Sequence, residues 1–473
     1  MTRSRATRFG RASLLLPMLL ATACAAVPDL GARPTPAAPG AYASTQSLSA
    51  PQSNWPAEGW WRKYDDPQLD RLIGEGVAAS PDLAAASARF RTAQGLTQQA
   101  GAALLPSLDA TGAVDYQKQS RNIGVPVPSG WNATGTAALS LNFDLDLFGK
   151  NRAALRAARK DAEGAQFEVE QSRLLLTTGI ASVYADLAAL YAQRDSLSQA
   201  LDIRQQTYRF VKARYDAGLE TIDSVRQAEA RIPQTKSDLA ATDEAIMLDK
   251  HALAALVGQG PDRALTIDRP AVSALRAQGI PADASINLIG RRPDVASART
   301  RVEAAAERIK EARAAFFPNI NIGALVGVQS LGLGSLLNSG SKFASVSPAV
   351  TLPLFHGGAL QGQYRGRRGQ YDEAVALYDG QVIQALRETA DTLTSEHQLA
   401  ERLGQSRSAL AAYEDALRAA RGRYQQGLTN YLTVLTAEES VVNARLIVAQ
   451  LETRSFTLDV QLVRALGGGF AAA

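Results

Sequence analysis

Hydrophobic positions recur along this chain with two different periods, and the change from one to the other marks out its elements. In 134–146 the alternation is strict: Ala137, Leu139, Leu141, Phe143 and Leu145 fall on one face of an extended strand, Ala138, Ser140, Asn142 and Asp144 on the other. Residues 319–329 repeat it, with Ile320, Ile322, Ala324, Val326 and Val328 set against Asn319, Asn321, Gly323 and Gln329. Segments 107–117 and 343–354 alternate less cleanly and complete two strands per half. Elsewhere the period is helical. Val183, Leu187, Leu190, Leu197 and Leu201 recur at steps of three, four and seven, interrupted by Arg194, within a stretch (150–215) that holds no proline. Leu403, Leu410 and Leu417 repeat the seven-residue step in 359–424. Helices of ~65 residues span on the order of 100 Å, far more than a compact domain needs. Shorter helices are expected at 221–256, 293–316 and 431–466, with a kink at Pro233.

The whole pattern is written twice. SPDLAAASARFRTAQ near residue 80 answers RRPDVASARTRVEAA near 291, so that Pro81 and Asp82 match Pro293 and Asp294, and Pro106 matches Pro318. RYDAGLETIDSV (214–225) answers RYQQGLTNYLTV (423–434), and Gly218 and Gly427 mark a tight reversal at a helix end. The chain divides into a first repeat (59–258), a linker (259–287), a second repeat (288–466) and a short tail (467–473). A duplication of this length means two similar halves side by side, not a solenoid.

The N-terminus indicates export. Arg3, Arg5, Arg8 and Arg11 precede a greasy run (14–20) too short to span a bilayer, followed by Ala21-Thr22-Ala23-Cys24. Cys24 is the only cysteine, which leaves no disulfide framework and no thiolate cluster. Its place after small residues resembles a bacterial lipoprotein processing site, with 1–23 as signal peptide and a covalent lipid on Cys24. Ordinary cleavage after Ala23 or Ala26 is the alternative. Ala25, where an aspartate would retain the protein at the inner membrane, points to the outer membrane. Residues 24–58 are rich in Pro, Ala, Ser and Gly and read as a flexible tether.

Strands of about ten residues, apolar on one face and polar on the other, fit a transmembrane barrel. A soluble sheet against a core is the alternative, but no partner layer is evident. Four strands cannot close a barrel, and an open edge in lipid leaves backbone groups unsatisfied. Several chains would have to share one barrel, continued by the long helices as a hollow bundle. Physics alone does not set how many.

Several blocks together resemble the TolC-like outer-membrane efflux family, in particular the lipoprotein branch serving resistance-nodulation-division pumps. They are GWWRKYDDPQLDRLI (59–73), LDLFGK (145–150), LIGRRPDV (288–295) with FFPNI (316–320), RYQQGLTNYLTVL (423–435) and LVRALGGGF (462–470), where Phe470 replaces a frequent Trp. The resemblance implies a mainly α fold with membrane β. Three chains would give a homotrimer with a twelve-stranded barrel continued by a periplasmic helical tunnel. It also implies a passive gated duct for small toxic molecules, a periplasmic adaptor and an inner-membrane pump as partners, and outer-membrane lipid around the barrel. In the family the far end of the tunnel is closed by the coil of the second helix pair, near the reversals. That makes Arg423 and Tyr424, with counterparts Arg214 and Tyr215, gate candidates. Thr433 and Thr436 stand where relatives place narrowing aspartates, and Asp223 and Ser224 lie at the matching place in the first half. Glu438 and Glu439 are the acids left to supply negative charge nearby.

Charge and composition exclude other classes. A net charge of +4 with no basic patch among aromatics does not fit nucleic-acid binding. His251, His356 and His397 lie far apart, without acids at ligand spacing, so neither an enzyme nor a metal site is expected. Gly467-Gly468-Gly469 follows a helix and reads as its stop, not as a phosphate cradle. Two alternatives keep the same elements: a TolC-like duct for protein secretion, and a lipid-anchored periplasmic coiled-coil scaffold without a pore. The transported cargo is not written in the sequence.

Overall fold

The computed structural model describes residues 27–118, 129–271, 280–281 and 290–471. The signal segment and Cys24 lie outside the described residues. In chain order the elements are a short 3-10 helix (Trp60–Tyr64), α1 (Pro67–Ala79), α2 (Pro81–Ala102), β1 (Ser107–Gln117), β2 (Asn132–Asp144), α3 (Lys150–Asp216) and α4 (Ile222–Leu256). The second half supplies α5 (Pro293–Ala314), β3 (Asn319–Leu331), β4 (Lys342–Thr351), α6 (Ala359–Gln425) and α7 (Tyr431–Ala465). The duplication is visible in the lengths: α2 and α5 have 22 residues each, α3 and α6 have 67, and α4 and α7 have 35. Pro81 and Pro293 open their helices with an aspartate in the first turn, where a missing N–H costs nothing and a negative charge meets the helix dipole. Pro233 lies inside α4 without ending it.

Two compact units are formed. The first comprises residues up to Pro36, Phe90–Ala165 and Ala298–Tyr378. Its centre is an antiparallel sheet in the order β1-β2-β3-β4. The register brings Leu108 opposite Leu141, Leu139 opposite Val326, and Ala324 opposite Val346, so the four strands share one apolar face. Lys342, the first residue of β4, is the one charged side chain on it. The other face carries Asp109, Thr136, Asn142, Asn321, Gln329 and Ser347. Gly327 permits the close approach of β2 and β3, since a Cβ there would stand 2.3 Å from the Ala137 carbonyl oxygen.

Two strands end earlier than their alternation suggests. β2 stops at Asp144, not at 146, because Asp144 Oδ1 accepts the Asp146 N–H (2.8 Å) and Asp146 turns into the left-handed region (φ 45°). The Asp146 carboxylate then caps α3 by accepting the N–H groups of Asn151 and Arg152, both at 2.9 Å. β4 ends at Thr351, ahead of Pro353, instead of reaching 354. In the same unit α3 and α5 are joined by ion pairs: Arg156–Glu307 (2.7 Å), Lys160–Glu303 (2.8 Å) and Arg308–Asp161.

The segment 27–58, expected as a flexible tether, is extended but not free. Arg368 of α6 donates to the carbonyls of Gly31 and Ala32, and Tyr371 Oη to that of Pro34 (3.0 Å). Further on, the Ala37 N–H donates to Asp379 (2.9 Å), the Ser53 N–H to the Ile280 carbonyl (2.9 Å) and the Ile280 N–H to the Pro51 carbonyl (2.9 Å). The expected linker is also held in part, through Arg263–Glu75 (3.0 Å) and a buried Ile267.

The second unit (Ala37–Arg89, Gln166–Ser297, Asp379–Ala473) contains a core of Leu69, Leu72 and Ile73 from α1, Ile180, Tyr184 and Leu187 from α3, Leu253 from α4, and Phe456, Val460 and Val463 from α7. This cluster explains why part of α3 is apolar enough for a membrane helix by composition: half of that window is buried in the fold. Arg292 of the RRPD block is buried. It pairs with Asp294 (2.6 Å) and Glu388 (2.8 Å) and donates to the Ala465 carbonyl (3.2 Å), clamping the start of α5 and the end of α7 onto α6. At that end Gly467 and Gly468 donate to the carbonyls of Arg464 and Val463, the closing turn of a helix.

A second buried charge cluster joins the 3-10 helix to α6 and α7. Asp459 accepts from Tyr64 Oη and pairs with Lys63 (2.6 Å), while Glu396 stands 8% exposed nearby. Burial, and then the charge of Asp459, push the Glu396 carboxyl up to about 7, with Lys63 opposing. A carboxyl raised above its ordinary value opposes folding once ionised. Stability contributed here is therefore full below about pH 4.5, falls as pH rises, and levels off above about 7. Glu396→Gln should raise the melting temperature at pH 8 and leave it unchanged at pH 4, a difference worth on the order of 3 kcal/mol. Thermal melts of the detergent-solubilised protein at the two pH values check it.

Candidate gate at the helix reversals

Each RYxxGL sequence folds into the same closing turn. After α3, the Gly218 N–H donates to the Tyr215 carbonyl (2.8 Å) and Leu219 to Arg214 (2.9 Å); after α6, Gly427 donates to Tyr424 (3.0 Å) and Leu428 to Arg423 (2.8 Å). Gly218 and Gly427 have φ of 74° and 75°, the left-handed conformation that this turn requires. The returning helices are capped alike: Thr221 accepts the Ser224 N–H (3.4 Å), and Asn430 that of Thr433 (3.2 Å).

On this common backbone the two copies differ. Tyr215 is 38% exposed and has the Lys212 ammonium 5.8 Å from its ring. Tyr424 is buried, with the Arg214 guanidinium 4.8 Å above its ring, Phe210 edge-on at 5.7 Å and Tyr431 at 6.1 Å. Its hydroxyl donates to Glu220 Oε2 (2.5 Å), on the turn before α4. Burial raises the Tyr424 phenol well above its ordinary value, and the hydrogen bond and charge of Glu220 add to it. Burial also pulls the Glu220 carboxyl up, but bonds from Tyr424 and Thr221 and the charge of Arg214 outweigh it and leave the carboxyl below the usual range. Glu220 thus stays an anion facing a phenol that stays protonated. A cavity of about 200 Å³, lined by Thr207, Phe210, Arg421 and Val434 among others, lies beside Tyr424.

Of the candidates read from sequence, Arg214 and Tyr424 are brought together. Arg423, Asp223, Thr433 and Thr436 are exposed on this chain, and Ser224 is half-buried at the start of α4. Thr436 bonds its own helix, donating to the Leu432 carbonyl (3.0 Å). Glu438, considered as a lumen charge, is instead 4% exposed and sits between helices, accepting from Thr207 (2.6 Å) and Arg421 (2.8 Å). Glu439 pairs with Arg231. Glu220 was missed, since a lone acid after a glycine carries no periodic signal. Glu438 had one: it falls in the seam Tyr431, Val434, Leu435, Glu438, Val441, Val442. Among the described residues no cluster of three or more His, Cys, Asp or Glu is placed to hold a metal ion.

Two long stretches, residues 72–259 and 286–468, match the family model described as outer membrane efflux protein. The chain belongs to this family. The crystal structure of the outer membrane protein VceC from Vibrio cholerae superposes with a TM-score of 0.85 at 42% identity, covering 88% of this chain and 100% of that one. The outer-membrane channel OprN gives 0.85 at 26% identity, over 94% and 99%. The multidrug resistance outer membrane protein MdtP of Escherichia coli is 30% identical over 433 residues, 89% of this chain and 88% of that one. Other relatives are named for cation efflux and pyoverdine export. As a member of an outer-membrane efflux family, the chain is a channel component of the outer membrane and not an enzyme.

The reversals give a test in which one substitution has two signs. Gly427→Ala strains a left-handed residue and should destabilise by about 1 kcal/mol. Gly422→Ala, five residues earlier inside α6 with open space at its Cβ, should stabilise by about 0.5–1 kcal/mol. Paired chemical-denaturation curves on the two variants check the opposite shifts.

Proposed function

We propose that three copies of this chain share one twelve-stranded barrel in the outer membrane, and that their long helices extend it into the periplasm as a passive, gated duct. The observation that carries this reading is the sheet: four strands, apolar on one face and polar on the other, with β1 and β4 at its open edges. Strands of 10 to 13 residues suit a bilayer. Exposed aromatics stand at both ends of the strands: Tyr116 stacks on Trp131 (5.5 Å) at one end, and Phe148 on Phe317 (5.0 Å) at the other. This is the distribution expected of interfacial girdles. The polar face then lines the lumen.

The reversals are the gate in this reading. Tyr424, Glu220 and Arg214 tie the end of α6 to the end of α3 and the start of α4, and hold the duct closed until the tie is broken. Arg423, Tyr215, Asp223, Ser224, Thr433 and Thr436 lie around it and meet solvent or neighbouring copies. Threonines at 433 and 436 leave no aspartate ring at those two positions, which argues against strong cation selectivity there. A periplasmic adaptor and a resistance-nodulation-division pump in the inner membrane supply the cargo and the energy. Relatives named for multidrug resistance, cation efflux and pyoverdine export support leaving cargo choice to the pump. A lipid on Cys24 anchors the chain, and the tied segment 31–37 leads toward that anchor.

Reconstituted into a planar bilayer, the purified protein should conduct, with a small conductance while closed. Tyr424→Phe keeps the ring but removes the bond to a charged acceptor, worth about 1.5–3 kcal/mol, and should raise the open fraction at least tenfold. Absence of any conductance in wild type and variant would count against a duct.

A further inference from the structure

Glu438 and Glu439 are neighbours on α7 and reach in different directions. Glu438 takes hydrogen bonds from Thr207 of α3 and Arg421 of α6, and Glu439 pairs with Arg231 of α4. At this one level α7 is therefore bonded to each of the other three long helices. Arg204 of α3 adds a bond to Thr235 of α4 at the same level. Thr207 stands nine residues before the end of α3, and Glu438 seven residues after the start of α7. At 1.5 Å per residue the layer lies on the order of 10–15 Å from the reversals. The Tyr424–Tyr431 cluster separates it from the Glu220 tie.

A carboxylate 4% exposed at an apolar seam position loses its hydration, and only close partners offset that loss. Those partners come from two different helices outside α7. If α6 and α7 moved away from α3 and α4, the Thr207 bond and the Arg231 pair would break together. Neither Tyr424 nor Glu220 takes part in these bonds.

We propose that Glu438 is a positioning residue for closure, the centre of a second latch that must release, in addition to the Tyr424–Glu220 tie, before the α6–α7 pair separates from α3–α4. This rests on the gate reading of the reversals. The latch is set deeper than the tip, so the tip tie alone does not define the closed state.

Glu438→Leu tests it: leucine suits the seam, and Arg421, whose side chain is 38% exposed, can turn to solvent once its partner is gone, so no buried charge is left unpaired. The expected result is a roughly tenfold higher open-to-closed ratio in single-channel recordings, the factor that about 1.4 kcal/mol produces. The melting temperature of the assembly should be unchanged or higher. Glu438→Leu combined with Tyr424→Phe should open further than either alone. Opening by Tyr424→Phe with Glu438→Leu behaving as wild type would overturn the latch and leave the gate standing. No opening by either variant would overturn both. Opening of Glu438→Leu accompanied by a clear loss of melting temperature would mark Glu438 as a structural prop and also overturn the latch. If Glu438→Leu fails to assemble, Thr207→Val removes only the hydroxyl donor and is read in the same way.

Discussion

A strand edge in hydrocarbon has nowhere to put its hydrogen bonds. Each unpaired backbone group there costs several kcal/mol, and a membrane sheet is therefore closed or absent. This chain supplies four strands whose shared apolar face is unsuited to water. Its two outer strands, β1 and β4, are each paired on one side only. Both problems have a single solution, which is to pair β1 of one copy with β4 of the next until the ring closes. The sequence on the helical side is consistent with that. LDLFGK turns β2 directly into α3 through the Asp146 cap, so the sheet and the long helix are held as one continuous path.

The duplication supplied two equivalent helix reversals, and their backbones remain alike to the hydrogen bond. The two copies differ in their side chains. Tyr215 is on the surface beside Lys212, whereas Tyr424 is enclosed by Arg214, Phe210 and Tyr431 and bonded to Glu220. The same closing turn thus presents one tyrosine to the outside and uses the other to join helices. Further along, the acids Glu438 and Glu439 bring α7 into register with all three of its long neighbours.

Much of this architecture was legible before any coordinates. The change from a two-residue to a helical period gave the fold class. RYxxGL announced the reversals because only glycine takes the left-handed conformation without strain. What escaped was long-range. Glu220 has no local signature, and its meaning comes from Tyr424 two hundred residues away. Proline and alanine in 27–58 suggest flexibility, yet Arg368 and Tyr371 recognise its backbone carbonyls, which no side-chain pattern can advertise. Strand ends were misjudged where a side chain competed with the ladder, as Asp144 does at the end of β2. Glu438 is the instructive case. It falls at a seam position of α7, but an acid is seldom buried, so the sequence offers it only as a source of negative charge and not as a contact between helices.

The shared barrel is the claim on which the rest depends, and the mass of the solubilised particle tests it most directly. Native mass spectrometry or light scattering in mild detergent should give three chains per particle, with precipitation once detergent is withdrawn. A particle of one chain that stays dissolved in plain buffer would contradict it.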